Sequence, residues 1–382
     1  MNKNADTIVS LKTEIEANQA TQTFTMEPQL PLLGPRDIRA KALKIVKAEV
    51  LLGTNPSEEK EVNLFRKHFG CEPLSIAAAW HDLTRADIPD PRLSMTRDEK
   101  INGLKRFLVA IYFLWNYSRN KEVLATSTQS NAYSVSSAIL WLWIDRIAWL
   151  EVLKIKWIPE LTDPSKEILA LTIDGTDFRV WEKSHPDLPL DRQQMSVKFN
   201  HGALKYLLFI SIEHQKVVQI YGPERGGKHD LTMLEESGFL DKLSQNKKVA
   251  SVDRGFIKHK YRDQLSWPNA YDSPEVNNYK SRSRLRHETF NGRCKFFRIL
   301  GETFHHQQKK HRSAFAAVQK LFISSLSTTC IKSGGNGAIH CILSSLLDSS
   351  KIENGGKSRY KQCRNKRSRE RFSLHHLLTG KK

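Results

Sequence analysis

Residues 168–176 read Ile168-Leu169-Ala170-Leu171-Thr172-Ile173-Asp174-Gly175-Thr176. The mostly apolar run 168–173 is followed directly by the carboxylate of Asp174. A run of this length and composition, finishing at Asp174, is typical of a buried strand. Val249 to Val252 is a second such run, and Asp253 follows it directly. Carboxylates at strand ends line the crevice where sheets commonly place active sites, so both aspartates are candidates for chemistry.

The pattern around these two runs predicts an α/β domain. Two further strands are expected at Tyr206 to Ile212 and at Val217 to Tyr221, and helices are expected at Leu231 to Leu243, 281–300 and 307–325. Strands followed by strand–helix alternation predict a mixed sheet with helices on its faces. Glycines close behind Asp174 and Asp253 permit a sharp turn and the close approach of another backbone.

A helical block precedes the sheet. Apolar residues recur at helical spacing from Ile101 to Trp115, and Thr96 with Glu99 has the pattern of a capping box. A short helix at 121–127, a polar turn and a helix at 135–147 follow, which is the plan of a helix-turn-helix module that binds the DNA major groove. A plain helical bundle is the alternative, in which the tryptophans form core: Trp141, Trp143 and Trp149.

Length and composition suggest two or three domains in 382 residues. We expect an N-terminal region at 1–90, partly disordered and partly helical, and a helix-turn-helix-like region at 91–160. The α/β domain is expected at 161–328, and a basic, disordered tail at 329–382.

Positive charge is concentrated rather than spread. The formal net charge is +19, and residues 254–320 and 351–382 carry net charges of +10 and +9. Clustered positive charge favours a polyanionic partner, because each neutralised phosphate releases condensed counterions. Solubility and a disordered tail are the alternative explanations.

Other classes of protein are disfavoured by the same composition. The chain is 39% hydrophobic and has no uncharged apolar run long enough to span a membrane, and its first residues lack the apolar core of a secretory signal. Five cysteines are scattered without a CxxC pair, which suits a reducing compartment and argues against a disulfide framework. We therefore expect no membrane partner.

Glu288 is the third candidate carboxylate, and it falls on a predicted helix within Arg286-His287-Glu288-Thr289-Phe290-Asn291. Magnesium prefers oxygen ligands and usually takes a few carboxylates plus water and substrate phosphate. Two such ions roughly 4 Å apart can activate an attacking oxygen and stabilise a leaving one. Spacing alone does not show that the three acids converge, and many strand-end aspartates only form turns.

Residues from about 100 to 325 resemble DDE-superfamily transposases, specifically the PIF/Harbinger-like endonuclease group. The matching motifs are Ile173-Asp174-Gly175-Thr176, Lys198-Phe199-Asn200, Gly226-Gly227-Lys228-His229-Asp230, Asp253-Arg254-Gly255-Phe256 and Arg286-His287-Glu288-Thr289-Phe290-Asn291-Gly292-Arg293. The resemblance implies an RNase H-like catalytic domain. It also implies Asp174, Asp253 and Glu288 as catalytic ligands of divalent metal, Mg²⁺ with Mn²⁺ as a substitute.

Neighbouring residues have two interpretations each. Basic side chains near the proposed ligands are expected to hold the DNA backbone, or else simply to balance the carboxylates: Arg254, Lys280, Arg282, Arg284, Arg286 and Arg293. Asp177 is either a further metal ligand or an exposed acid. His229 is a candidate for phosphate or metal binding, whereas Asp230 is expected to cap the helix that follows it.

The function that these features predict is a transposase-type endonuclease and strand transferase in the nucleus. Its expected partners are double-stranded DNA, at element ends and target, and a separate DNA-binding protein or further copies of the chain. A catalytically silent DNA-binding protein derived from a transposase is the main alternative, and an RNase H-like nuclease acting on RNA or hybrids is another. Residues 331–382 depart from the family's pattern. Three interpretations stay open: a basic arm, a nuclear localisation signal or a degenerate terminus.

Overall fold

The computed structural model describes residues 33–85, 88, 90–154, 157, 161–162, 169–181, 192–196, 198–212, 217–256, 259–269, 272 and 274–330. The predicted disorder near the start of the chain and most of the predicted basic tail lie outside these residues. The described residues from Gly34 onward belong to one compact unit.

The first part of this unit is helical. Its helices are α1 (Pro35–Ile45), α2 (Glu58–Phe69), α3 (Pro73–Arg85), α4 (Arg97–Asn102), α5 (Leu104–Asn116), α6 (Lys121–Ser127) and α7 (Ser137–Lys154). The predicted capping box is confirmed, because the Thr96 hydroxyl accepts from the Glu99 backbone N–H at 3.2 Å and the Glu99 carboxylate accepts from the Thr96 backbone N–H at 3.1 Å. The predicted order of a helix, a short helix and a helix is also present in α5, α6 and α7.

Helix α7 is enclosed by its neighbours. It packs against α3, α5 and the last helix of the described chain, α12 (Gln308–Cys330). From Ser137 to Leu150 only Ser137 and Ala138 are exposed, and Trp141 and Trp143 are buried as expected for core. A recognition helix needs a free face to enter a major groove. The burial of α7 therefore fits the helical-bundle alternative better than a DNA-reading helix.

A mixed six-stranded sheet follows the helices. Its strands are β1 (Leu169–Arg179), β2 (Met195–Ser196), β3 (His201–Ser211), β4 (Val217–Arg225), β5 (Val249–Ser251) and β6 (Leu265–Ser266). The order is β2-β3-β1-β5-β6, and β4 also pairs with β3. Strands β1, β3 and β4 pair antiparallel, whereas β1, β5 and β6 run parallel. This arrangement confirms the predicted mixed α/β sheet.

Helices cover both faces of this sheet. On one face, apolar side chains of β1, β3 and β5 form a core with α8 (Asp230–Glu236) and α9 (Phe239–Gln245), including Leu171, Ile173, Phe209, Phe239 and Val252. On the other face, α10 (Pro274–Cys294) contacts β1 and β5, and α12 packs Phe315 against the rings of Phe178 and Tyr206. The short α11 (Arg298–Gly301) lies between these two helices in sequence.

Some predicted boundaries were wrong. Strand β1 does not end at Asp174 but continues to Arg179, because its second half pairs with β3 as far as Arg179↔Ala203. The single helix predicted at 231–243 is two helices, divided at Gly238, which has a φ of +66°. In the part of the chain that the structure describes, no helix combines the length and apolar character that crossing a bilayer requires.

Candidate active site

Asp174 and Asp253 are neighbours because of strand register. Thr172 of β1 lies opposite Ser251 of the parallel strand β5, and each aspartate comes two residues later in its own strand direction. Asp253 follows the end of β5, where its Oδ1 accepts from the Gly255 backbone N–H at 2.8 Å. Asp174 Oδ1 accepts from the Gly175 backbone N–H at 2.9 Å. The two carboxylates predicted from sequence are therefore brought together at one place on the sheet.

The pKa of the Asp174 carboxyl is strongly perturbed. Burial raises its pKa, and the negative charges of Asp253 and Asp230 raise it further, to about 7, although Arg284 acts in the opposite direction. Two carboxylates that share a site resist simultaneous ionisation. This pair is therefore a place where a cation would be stabilised.

Asp230 is part of the same charged region, but not in the predicted way. It is the first residue of α8, and the cap is His229, whose Nδ1 accepts from the Leu231 backbone N–H at 3.2 Å. Asp230 Oδ1 instead lies 3.1 Å from Lys205 Nζ. The prediction that Asp230 caps the helix was wrong, because the residue before it performs that role.

The absence of a side chain at Gly175 leaves space for the Asp230 carboxylate. A Cβ at residue 175 would lie 2.8 Å from Asp230 Oδ2, closer than a real Cβ contact. The glycine therefore makes no turn, since the strand continues through it. It permits the close approach of a carboxylate from α8, and this keeps Asp230 within electrostatic range of Asp174.

Glu288 is not gathered into a ligand set with the aspartates. It lies exposed on α10, one helical turn after Arg284, which is close enough to lower the pKa of Asp174. Among the described residues, no group of three or more His, Cys, Asp or Glu is arranged to hold a metal ion. Its role as a metal ligand stays a prediction.

The predicted DNA-contacting residues differ in availability. Arg254, directly after Asp253, and Arg282 on α10 are exposed. Arg293 is half-buried, and burial lowers the pKa of its guanidinium. The side chain of Arg286 lies outside the described part of the structure.

The structure does not leave Lys280 available for the expected contact with DNA. Its side chain is buried, and its ammonium donates to Asp272 Oδ2 at 2.8 Å and to the Trp267 carbonyl at 3.1 Å. A lysine held in this way fixes α10 to the chain after β6 and has no free donor face for DNA. Sequence alone gives no sign of the Asp272 partner, which lies eight residues away.

Asp177 and Lys205 connect the part of β1 after Asp174 to neighbouring segments of the chain. Asp177 lies opposite Lys205 in the β1–β3 register, and its carboxylate accepts a hydrogen bond from the Ser196 hydroxyl. Lys205 was missed from the sequence, although a lysine inside the apolar run of β3 is a usable signal. Its ammonium donates to the Lys228 carbonyl at 2.8 Å and pairs with Asp230, so it links β3 to the start of α8.

Polar groups also line the contact between the sheet and α10. Thr172 and Ser251 lie on the sheet face opposite the α8–α9 core, and His287 and Asn291 lie one turn apart on α10. Each of these four residues, named here the polar seam, has a buried side-chain atom with no hydrogen-bond partner within the described protein. Burial lowers the pKa of His287 to about 3, so its ring is neutral at physiological pH.

Comparison with known proteins gives one result. Residues 173–322 match the family model described as DDE superfamily endonuclease, which begins next to Asp174 and includes Asp253 and Glu288. The match supports a DDE-type endonuclease domain in this part of the chain. No curated protein and no solved structure matches the chain.

Proposed function

We propose that this protein is a transposase-type DNA endonuclease and strand transferase of the PIF/Harbinger-like group. The observation that carries the proposal is the adjacency of Asp174 and Asp253 on parallel strands, inside the segment that matches the DDE endonuclease family. Two carboxylates that repel each other form an acidic centre of the kind that holds metal ions for phosphodiester cleavage. The proposed substrate is double-stranded DNA, at element ends and at a target.

Asp174 and Asp253 fit a divalent cation. The mutual repulsion that raises the pKa of Asp174 is relieved when a cation binds between the carboxylates. Magnesium commonly takes only one or two carboxylates, with water and substrate phosphate as its other ligands. Such ions, Mg²⁺ or Mn²⁺, supply charge stabilisation and an activated oxygen nucleophile when bound. Glu288 is the predicted third ligand.

Arginines beside the carboxylates suit a phosphate backbone. Arg254 is exposed directly after Asp253, and Arg284 lies within electrostatic range of Asp174. Guanidinium groups match the geometry of phosphate oxygens and keep their charge at any physiological pH. We propose that these two residues orient the DNA strand over the carboxylates, with Arg282, Arg286 and Arg293 farther along α10. A nuclear location, a separate DNA-binding partner and self-association are further parts of the proposal.

One observation favours the second candidate function. Glu288 is exposed, and the described residues contain no set of three metal-binding side chains. A transposase-derived DNA-binding protein without catalytic activity would tolerate such an arrangement. That candidate predicts salt-sensitive DNA binding without cleavage under either Mg²⁺ or Mn²⁺.

A nicking assay separates the two functions. Purified full-length protein is incubated with duplex carrying the element ends, with Mg²⁺, Mn²⁺ or chelator. We expect metal-dependent nicking that Asp253→Asn reduces at least ~100-fold, since removal of one charge-stabilising group commonly costs that much. Asp263→Asn is the matched control, because Asp263 is exposed just before β6, away from the carboxylates. Nicking that survives Asp253→Asn unchanged would contradict the proposal.

A further inference from the structure

Two cations lie against one aromatic ring at the far end of β1. The Arg179 guanidinium carbon is 4.7 Å from the centroid of the Phe199 ring, and Lys295 Nζ is 5.8 Å from the same centroid. Lys295 Nζ also lies 5.2 Å from the Phe178 ring. Cations are attracted to ring faces, so the rings fix the positions of the two charges without neutralising them.

A third cation, Lys198, is carried on a tightly held turn. The Ser196 hydroxyl donates to Asp177 and accepts from the Lys198 backbone N–H at 3.2 Å. The Asn200 backbone N–H donates to the Ser196 carbonyl at 2.8 Å, and Asn200 itself has a φ of +49°. The backbones of Lys198 and Asn200 are therefore bonded to Ser196, whose hydroxyl is in turn bonded to Asp177 of β1.

The three cations lack carboxylate partners of their own. Within the described part of the chain, none of Arg179, Lys198 and Lys295 has an ion pair at 4 Å or less. Lys198 is close enough that its charge, together with burial, lowers the pKa of the Lys295 ammonium, whereas Asp177 and Asp174 act in the opposite direction. Asp177 accepts a hydrogen bond from the Ser196 hydroxyl and has no ion pair within 4 Å with these described cations, so the gathered positive charge indicates a site for an anion.

The cluster lies along the strand that carries Asp174. Arg179 is five residues farther along β1, which is about 16 Å at the usual strand rise. A nucleic-acid strand advances about 3.4 Å per nucleotide, so this separation corresponds to roughly five nucleotides. Lys295 is nearer, because the charge of Asp174 still affects it. Residues 174 and 179 point to opposite faces of a regular strand, but Arg179 ends β1 and meets Lys295 at the Phe199 ring. Lys295 also contacts Phe178, which is four residues from Asp174 and on the same face of β1, so Lys295 links the cluster to the face that carries the carboxylate.

We propose that Arg179, Lys198 and Lys295 form a subsite for a backbone phosphate of DNA, a few nucleotides to one side of the phosphate over Asp174. The subsite rests on the proposed function for the identity of its strand. Its chemistry is phosphodiester recognition by charge, with the Phe199 ring as the surface on which Arg179 and Lys295 are held. It adds to the arginines near Asp253 a second contact region on the other side of Asp174.

Binding measured without metal tests the subsite independently of cleavage. Affinity for a fixed DNA duplex is followed by fluorescence anisotropy over a salt series for wild type, Lys198→Gln, Lys295→Gln and the double variant. We expect the double variant to bind about 5- to 20-fold more weakly at low salt, and the slope of log affinity against log salt to fall by about one. Lys295→Arg should retain most of the affinity because it keeps the charge.

Lys247→Gln is the matched control. Lys247 is exposed just before β5, at the end of that strand opposite Asp253, so its loss should leave the salt slope unchanged. Lys198 is exposed, so Lys198→Gln alone tests the charge without disturbing a packed side chain. An unchanged slope in Lys198→Gln and in the double variant would overturn the subsite, as would equal competition by an acidic peptide.

The two proposals fail separately. Wild-type protein that shows the salt-slope effect but never nicks DNA retains the subsite and loses the proposed endonuclease function. Protein that nicks DNA with the slope unaffected by the lysine substitutions retains the function and loses the subsite.

Discussion

At the scale of single residues, the raised pKa of Asp174 makes the stability of the metal-free protein depend on pH. Its pKa is raised to about 7, whereas an unfolded chain ionises at the ordinary value of 3.8. Between these two values the folded state binds more protons than the unfolded state, so stability falls as pH rises. Metal binding must displace this proton, and metal affinity should therefore increase through the same pH range.

Replacement of Asp174 tests this account. We expect metal-free Asp174→Asn to be more stable than wild type at pH 8 by on the order of 2–4 kcal/mol, with the difference vanishing near pH 4, because each pKa unit corresponds to about 1.4 kcal/mol. Urea unfolding at the two pH values measures the difference. Asp263→Asn, at an exposed position, should show no such pH dependence. Equal stability of wild type and Asp174→Asn at pH 8 would contradict the raised pKa.

Individual residues also show how far sequence reasoning extended. Asp174 and Asp253 were candidates because each follows a short apolar run, and spacing alone did not show that they converge. The parallel register of β1 and β5 brings them together in the structure. The burial of Lys280 was not predictable, because it depends on Asp272 and on a carbonyl of Trp267. His229 rather than Asp230 caps the helix, because one residue of helix phase separates a cap from the first helical position.

At the scale of elements, a single arginine fixes the segment that leads into α4. Arg146 of α7 is 2% exposed, and its guanidinium donates to the carbonyls of Leu93 and Ser94 at 2.8 and 2.7 Å. It also pairs with Glu99 at 3.0 Å. A buried fork with this many acceptors joins α7 to the chain before α4. Its removal leaves two carbonyls without their donor and Glu99 without its cationic partner.

We expect Arg146→Ala to lower the free energy of unfolding by about 3–5 kcal/mol, the usual cost of breaking a buried ion pair. Arg92→Ala is the matched control in the same segment, because Arg92 pairs with Asp90 at 2.6 Å but is 87% exposed. That change should cost about 1 kcal/mol or less. Urea denaturation of both variants gives the comparison, and equal losses would show that burial of Arg146 has no special weight.

Element boundaries were predicted less well than element types. Helical periodicity and the capping box located α5, α6 and α7, since these signals are local. The end of β1 was placed at Asp174 because polar residues usually close an apolar strand. Its continuation to Arg179 depends on pairing with β3, more than twenty residues later, which no local pattern records.

At the scale of the whole molecule, α12 joins the helical block to the sheet. It packs against α7 and α3, its Lys320 pairs with Asp82 at 2.6 Å, and its Phe315 ring is 4.3 Å from the Tyr206 ring. The sequence suggested separate domains at 91–160 and 161–328, because composition changes between them. Contacts across that division come from a helix near the end of the described chain, and such long-range packing is not visible in a local pattern.

This shared helix predicts cooperative unfolding. Phe239→Ala removes a ring that lies on the α8–α9 side of the sheet, 3.9 Å from the Phe209 ring, and should cost about 3–5 kcal/mol. We expect the free energy of opening measured by amide exchange in α7, at residues 140–150, to fall by the same amount as the free energy of global unfolding. Exchange in α7 that is unaffected by Phe239→Ala would show instead that the helical block opens independently.

The polar seam has a consequence for how α10 meets the sheet. Each buried polar atom without a partner costs about 1–3 kcal/mol relative to a hydrated one. Water admitted along the seam would recover that cost, so α10 adheres less firmly than an apolar helix of equal burial. We therefore expect this contact to admit water more readily than the apolar core on the opposite face of the sheet.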